Sequence, residues 1–301
     1  MKRSTHPRAA RALGLSSVLL AALLLLACDR PAPGGAAAPS KETSRLRPPI
    51  GPTGSAAPPS PAPPPLAPPP PPRLRLEAPG PFVELPVAGH PAAVVSLPLG
   101  AEGRRPVVIA THGNYDRPEW QCEVWRGIIG DRAFILCPRG AARADSPSPD
   151  DIRFTYSTNQ ALGKEVDAGL EALQAAFPDH VDGGAVLYTG FSLGAIMGVA
   201  IASRAPGRFP RLILVEGGHD RWTAATAKAF AAGGGLRVLF VCAQAGCAGV
   251  ARQAAAHLEK SGVATRVAQS KPVGHRYDGP VADEVKKALD WALEGDGRWR
   301  E

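Results

Sequence analysis

Six short apolar runs, separated by longer segments, constrain the fold of this 301-residue chain more than any other feature. They span residues 107–110, 133–137, 185–189, 212–215, 236–242 and 265–269. A strand that is apolar on both faces is typical of a parallel sheet, because helices cover both sides of such a sheet. The alternation therefore predicts a doubly wound α/β domain with a mostly parallel sheet.

The segments around these runs supply helices, and a hairpin precedes them. In residues 159–177 the apolar side chains recur at steps of three and four, as on one face of a helix. Residues 281–292 repeat this pattern, and residues 246–260 have a less defined, alanine-rich face. Two β-prone runs at 82–87 and 92–97 flank a Gly-His pair and predict a hairpin.

The N-terminus has the layout of an exported protein. Residues 1–27 carry bases without an acid and then a short leucine-rich run, which is typical of a signal peptide. The run ends in Leu-Leu-Ala-Cys at Cys28, which resembles a bacterial lipobox. The resemblance implies cleavage before Cys28 and lipid on that residue; a plain secretory signal or an uncleaved anchor is the alternative. Asp29 resembles an inner-membrane retention signal of some Gram-negative bacteria, and the choice of membrane stays open.

Residues 28–72 offer almost nothing to bury, since 17 of the residues from 31 to 72 are proline. Such a segment stays extended, largely as polyproline II, and acts as a semi-stiff spacer. We therefore expect a lipid-anchored stalk that carries a domain of residues 73–301 in the cell envelope, in the periplasm or otherwise outside the cytoplasm.

The net charge of +7 does not indicate nucleic-acid binding. Most of the excess lies in the predicted signal peptide and stalk, so the domain from Arg73 onward is close to neutral. Without a basic field on the domain, no nucleic-acid partner is expected.

Four cysteines remain once Cys28 is assigned to lipid: Cys122, Cys137, Cys242 and Cys247. An even number of cysteines in an exported domain suggests disulfides, and the sequence permits three pairings. We favour the nearest neighbours in sequence. The spacing matches no metal-binding pair and no histidines cluster nearby, so no metal site is expected; free buried thiols are the remaining alternative.

Gly190-Phe191-Ser192-Leu193-Gly194 follows one of the apolar runs and precedes an apolar, alanine-rich segment that favours a helix. A serine on a sharp turn from strand to helix, with glycines where a Cβ would clash, is a nucleophile elbow. The chain therefore resembles the α/β-hydrolase superfamily over most of the predicted domain. Within that superfamily it is similar to the small capless esterases and dienelactone-hydrolase-like proteins.

The resemblance assigns the catalytic roles. Ser192 is the expected nucleophile, and His275 is the base that takes its proton. Most members carry the acid after the strand that corresponds to 236–242, but that loop contains no carboxylate here. Some members carry it one strand earlier, where Glu216 directly follows an apolar run. We predict Glu216 as the acid, with Asp220 as the alternative.

The oxyanion of acyl transfer needs two preorganised donors. The N–H of Leu193, at the start of the helix after the nucleophile, is expected to supply one. His112-Gly113 resembles the oxyanion-loop motif of the superfamily, and the N–H of Asn114 is the expected second donor. His112 itself is expected to be structural.

The resemblance implies a serine hydrolase that cleaves small-molecule carboxylic esters through an acyl-enzyme on Ser192, without a cofactor. Residues 217–235 leave room for one helix and no lid, so we expect an open site suited to water-soluble or surface-exposed esters. The aromatic residues Tyr115, Trp120 and Trp125 either line this site or pack in the core. A peptidase or amidase with the same triad and a non-catalytic binding lipoprotein are the alternatives, and the oligomeric state stays open.

Overall fold

The computed structural model describes residues 75–299. The predicted signal peptide (1–27), the predicted lipidation site Cys28 and the proline-rich segment that ends at residue 72 lie outside the described residues. Within residues 75–299, none of the helices has the length and apolar character needed to cross a membrane.

The described part alternates strands and helices. The strands are β1 (Phe82–Val87), β2 (His90–Ser96), β3 (Val107–Thr111), β4 (Phe134–Cys137), β5 (Ala141–Ala142), β6 (Phe154–Thr155), β7 (Leu187–Phe191), β8 (Arg211–Val215), β9 (Arg237–Cys242) and β10 (Ala264–Gln269). The α-helices are α1 (Pro118–Ile129), α2 (Asn159–Ala176), α3 (Leu193–Arg204), α4 (Ala224–Ala232), α5 (Cys247–Lys260) and α6 (Pro280–Leu293), and short 3₁₀ turns lie at Gly130–Arg132, His219–Arg221 and Gly297–Trp299.

Eight of these strands form one sheet in the order β1-β2-β4-β3-β7-β8-β9-β10. β1 and β2 form the predicted hairpin, and β2 pairs antiparallel with β4. All the remaining neighbours in this sheet are parallel. The prediction of a mostly parallel, doubly wound sheet is therefore confirmed.

Helices cover both faces of the sheet, as the apolar strands require. Buried side chains of α2, α3, α4 and α5 form one hydrophobic cluster with one face, and those of α1 and α6 form a second cluster with the other. Successive residues of β7 alternate between these clusters, since Leu187 belongs to the α1 and α6 side and Tyr188 to the opposite side. Both sides of the strand are thus removed from water, which explains why all five of its residues are buried.

The register aligns the carboxyl ends of the central strands. Thr111 at the end of β3 pairs with Gly190 of β7, and Phe191 pairs with Val215 at the end of β8. The loops that follow β3, β7 and β8 therefore leave the sheet at a common edge, where ligands bind in open α/β sheets.

The structure differs from the sequence-based expectations in several details. The strand expected at 185–189 lies at Leu187–Phe191, because Gly190 and Phe191 still pair with β8. The sequence analysis also missed α1, which begins with Pro118 directly after the cap residue Arg117. Between β8 and β9 the only α-helix is α4, so this connection contains no lid domain.

The cysteines are paired as predicted. One disulfide joins Cys122 of α1 to Cys137 of β4, and the other joins Cys242 at the end of β9 to Cys247 at the start of α5. The second closes a short loop at the carboxyl edge of the sheet.

Candidate active site

Ser192 occupies the sharp turn between β7 and α3. Its backbone has φ 50° and ψ −114°, a conformation that L-residues rarely adopt. The flanking glycines allow the turn: a Cβ on Gly190 would lie 2.7 Å from the Ala195 nitrogen, and one on Gly194 would lie 2.5 Å from Thr111 Oγ1. The structure therefore forms the strand-to-helix elbow that the glycine spacing predicts.

His275 lies on the loop between β10 and α6 and reaches the serine. Its Nε2 is 2.7 Å from Ser192 Oγ, and its Nδ1 is 3.4 Å from Glu216 Oε2. The ring of Phe191, next to the serine in sequence, packs against the imidazole with ring centroids 4.8 Å apart. The structure thus brings together Ser192, His275 and Glu216 in the order hydroxyl, imidazole, carboxylate.

Glu216 follows β8 directly, and its side chain is only 1% exposed. Its Oε1 accepts hydrogen bonds from the backbone N–H groups of Ala243 and Gln244, the latter at 3.0 Å. These donors come from the loop that the Cys242–Cys247 disulfide closes. They compensate for the lost hydration of the carboxylate, which would otherwise be costly to bury.

Asp220, the alternative acid, lies elsewhere. It belongs to the 3₁₀ turn His219–Arg221 and pairs with Arg221 at 3.4 Å. Asp278, three residues after the histidine, forms a two-bond ion pair with Arg276. Of the acids near the predicted histidine, Glu216 is the one whose carboxylate faces Nδ1.

The two amides predicted to bind an oxyanion have no hydrogen-bond partner among residues 75–299. They are the N–H groups of Leu193, first residue of α3, and of Asn114, in the loop after β3. Their neighbours are all engaged. The Gly113 N–H donates to Asp116 Oδ2 at 3.3 Å, that of Tyr115 to the Phe154 carbonyl at 3.0 Å, and that of Gly194 to the His112 carbonyl at 3.1 Å.

His112 has a structural role, as expected. It is fully buried and stacks on Tyr156 with ring centroids 4.3 Å apart. Its Nδ1 lies 2.7 Å from the Gly113 carbonyl and its Nε2 lies 2.9 Å from the Arg139 carbonyl. Both ring nitrogens face backbone, so neither is free for a substrate.

Comparison with known proteins finds relatives by structure alone. No protein-family model matches the sequence, and no curated protein matches it. The crystal structure of TT1662 from Thermus thermophilus matches with a TM-score of 0.52 at 14% identity, covering 71% of this chain and 98% of TT1662. Together with the strand order and the elbow, this likeness decides the fold. The chain has the α/β-hydrolase fold.

Two further solved structures show a weaker likeness. A carboxylesterase from Mesorhizobium loti has a TM-score of 0.47 at 18% identity, covering 69% of this chain and 99% of that one. A dienelactone hydrolase-like promiscuous phosphotriesterase from metagenomic libraries has a TM-score of 0.49 at 17% identity, covering 66% and 84%.

Two open cavities flank the elbow of this α/β-hydrolase fold. One, of about 460 Å³, is lined by His275 and by aromatic rings that include Tyr115, Trp120, Phe191 and Tyr277. We refer to it as the aromatic cavity. Of the two alternatives left open by the sequence, Tyr115 and Trp120 line this cavity.

Trp125 instead packs in the core and donates its indole N–H to Gln121 Oε1 at 3.1 Å. It lies on the buried side of α1, which points away from the aromatic cavity.

The second cavity, of about 680 Å³, runs along one side of α3 and is called the α3 groove here. Its floor includes Leu193, Ile196 and Met197, all half-buried, and its other wall includes residues 157–160 and Arg221. The groove therefore begins at the residue after Ser192 and continues along an apolar helix surface.

One group of potential metal ligands within residues 75–299 lies close together, namely Glu216, Cys242 and Cys247. Both sulfurs are bonded to each other, so they offer no thiolate, and the carboxylate faces His275 and two amides. This group does not have the chemistry of a metal site.

Proposed function

We propose that this protein is a serine hydrolase that cleaves carboxylic esters through an acyl-enzyme on Ser192. The observation that carries the proposal is the chain of contacts from Ser192 Oγ to His275 to Glu216, beside two unpartnered backbone amides. A serine hydroxyl is a weak nucleophile, and an adjacent imidazole held by a carboxylate is the arrangement that activates it.

In the first half-reaction, His275 Nε2 takes the hydroxyl proton as Oγ attacks the ester carbonyl carbon. The carbonyl oxygen becomes an oxyanion, and the N–H groups of Leu193 and Asn114 donate to it. His275 then gives its proton to the leaving alcohol oxygen as the carbon–oxygen bond breaks. Glu216 holds the imidazole in one tautomer and stabilises its charged form without taking the proton.

In the second half-reaction, His275 takes a proton from water, whose oxygen attacks the acyl-enzyme carbonyl. The proton returns to Ser192 Oγ as the acyl–oxygen bond breaks, and a carboxylic acid leaves. His275 is therefore the residue that takes up and returns the proton in both half-reactions.

The two cavities suggest how an ester lies. Because His275 must reach the leaving oxygen, the alcohol portion is proposed to occupy the aromatic cavity that this residue lines. The acyl portion is proposed to extend along the α3 groove, which begins at Leu193. Both cavities are open to solvent, which favours water-soluble or surface-exposed esters.

We also propose that the protein is lipid-anchored at Cys28 in the cell envelope. The support is the sequence of the N-terminus: a signal-peptide layout, a lipobox-like end and a proline-rich segment before the folded part. Two disulfides in the domain agree with an exported protein.

Labelling with a fluorophosphonate probe tests the hydrolase proposal on the full chain. We expect wild-type protein to react covalently, Ser192→Ala not to react, and His275→Ala to react at least a hundredfold more slowly. Ser261→Ala is the matched control, since Ser261 follows the last residue of α5 and its hydroxyl donates to the His257 carbonyl at 3.0 Å. A folded wild-type protein that shows neither labelling nor ester hydrolysis would contradict the proposal, and faster cleavage of anilides than of matched esters would indicate an amidase.

A further inference from the structure

We propose that Asp116 and Tyr277 form a positioning pair that joins two loops. One is the loop between β3 and α1 (residues 112–117), which carries the proposed donor Asn114 and is called the oxyanion loop here; the other is the loop between β10 and α6 (residues 270–279), which carries His275 and is called the histidine loop. The inference rests on the proposed function. The two residues are 161 positions apart, and Tyr277 Oη donates to Asp116 Oδ1 at 3.1 Å. Neither residue touches the reacting atoms, so their role is to hold the groups that do.

Asp116 organises the loop after β3. Its carboxylate is buried and also accepts from the N–H groups of Gly113 at 3.3 Å and Arg117 at 2.8 Å. Its bond to the Gly113 N–H holds the peptide group between His112 and Gly113. The next peptide group carries the N–H of Asn114, the proposed oxyanion donor. The backbone of Asp116 is itself held, because its carbonyl accepts from the Phe154 N–H at 2.8 Å.

Tyr277 anchors the loop between β10 and α6. Its ring packs on Phe191 with centroids 4.6 Å apart, and Phe191 in turn packs on the imidazole of His275. Burial, and then the charge of Asp116, raise the pKa of Tyr277 above its usual range. The phenol therefore stays protonated and remains a hydrogen-bond donor at any pH at which the hydrolase would work.

The histidine loop needs such an anchor. The His275 side chain is 42% exposed, and the loop bends through glycines at 274 and 279 with φ of 83° and 53°. The ion pair between Arg276 and Asp278 stays within the loop and does not tie it to the sheet. The bond from Tyr277 to Asp116 crosses from this loop to the oxyanion loop, so it sets the distance between the proton carrier and one oxyanion donor.

The test compares Tyr277→Phe, Asp116→Asn and the double variant with the full wild-type chain, using a p-nitrophenyl ester. Tyr277→Phe keeps the ring and its packing on Phe191 while removing the hydroxyl. Active sites are counted by fluorophosphonate titration, so that unfolded molecules do not enter kcat.

We expect kcat per titrated site to fall on the order of tenfold in each single variant, with KM changed less than about twofold, because the loss is one of geometry. Asp116→Asn replaces the carboxylate that accepts from Tyr277 by a weaker, neutral acceptor, and it also alters the bonds to Gly113 and Arg117. Because the bond to Tyr277 can be lost only once, the double variant is expected to lose less than the product of the two single losses. Leu258→Ala is the stability control: it opens a space in the core under α5, in the hydrophobic cluster on the opposite face of the sheet from Tyr277, and lowers the melting temperature but not kcat per site.

Two results would overturn the inference. One is a kcat per site in Tyr277→Phe that stays within twofold of wild type; the other is a loss in the double variant that equals the product of the two single losses. If Asp116→Asn does not fold, Tyr277→Phe alone decides. Ester hydrolysis that persists unchanged in Ser192→Ala is a different result, because it would overturn the proposed function and this inference with it.

Discussion

Three non-glycine residues between 75 and 299 have positive φ, and all three lie at the candidate site. Tyr115 (62°) is in the oxyanion loop, Ser192 (50°) is the elbow, and Glu216 (51°) is the proposed acid. Each such conformation costs about 1–3 kcal/mol and persists only where the surroundings enforce it. The strain of this molecule is thus concentrated at the edge of the sheet where the proposed chemistry occurs.

At this scale, Glu216→Gln separates the two acids considered from sequence. We expect kcat to fall on the order of a thousandfold. An amide at the position of Oε2 would present either a donor or a neutral acceptor to His275 Nδ1, so the imidazole would no longer be held in the tautomer that leaves Nε2 free to accept the serine proton. Asp220→Asn is the matched control and is expected to keep kcat within about twofold. Ester kinetics with active-site titration measure both, and the opposite ranking would assign the acid to Asp220.

The sequence was informative about single residues only where a pattern or a position marked them. The glycine spacing marked Ser192, and the chain order expected from the superfamily marked His275. Glu216 was predicted because the usual acid loop lacks a carboxylate. The Asp116–Tyr277 contact could not be predicted, because no motif links residues so far apart and only the packing of the loops brings them together.

At the scale of elements, the disulfide-closed loop from β9 to α5 supports the proposed acid, Glu216. Cys242 and Cys247 close the loop whose amides at Ala243 and Gln244 bind the Glu216 carboxylate. This loop has no carboxylate of its own, and its backbone holds a carboxylate that comes from the end of the neighbouring strand β8. No side chain marks this role in the sequence.

Replacing both Cys242 and Cys247 by alanine is expected to lower kcat per active site several-fold, because the two amides lose their fixed position. Loop-closure entropy predicts about 2 kcal/mol of lost stability as well. The control is the double alanine variant of Cys122 and Cys137, expected to lose about 3 kcal/mol while keeping kcat per site. Equal kcat values for the two double variants would contradict a catalytic role for the loop.

The α3 groove leads to a prediction about acyl length. Met197→Trp places a large ring in the groove, so kcat/KM for an octanoate ester is expected to fall about tenfold relative to the acetate ester of the same alcohol. Met197→Leu nearly conserves volume and is expected to keep the wild-type ratio. Competition between the two esters in one assay measures the ratio directly. A decrease for acetate as large as that for octanoate would place the acyl chain elsewhere.

The elements themselves were largely predictable, since buried parallel strands are continuously apolar and α2, α5 and α6 carry a helical period. The helix α1 was missed: its buried residues include Pro118, Gln121, Cys122 and Trp125, so its inner face does not read as a simple apolar stripe. The short β5 and β6 pair was missed because it has only two residues in each strand. The end of β7 was misplaced by two residues, because Gly190 reads as a turn but still pairs in the sheet.

At the scale of the whole molecule, the domain within residues 75–299 and the N-terminal residues before it have separate proposed roles, namely hydrolysis and membrane attachment. The sheet is buried on both faces, its carboxyl edge is open, and the domain carries little net charge. Within residues 75–299, no helix is long and apolar enough to span a membrane. Attachment to a membrane at Cys28 is a separate proposal, which rests on the sequence of the N-terminus.

Replacing Cys28 by serine tests this attachment. Cells that express the wild-type chain and are fed radiolabelled palmitate are expected to incorporate label into the protein, which should sediment with membranes and require detergent for release. Cys28→Ser should lose the label, because serine offers no thiol for the lipid. Ser192→Ala is the essential control: a palmitoyl acyl-enzyme on the proposed nucleophile would also carry label, and only label that persists in this variant reports the anchor. Label that survives Cys28→Ser but disappears in Ser192→Ala would contradict the anchor and support the nucleophile, since acylated Ser192 would then be the source of the label.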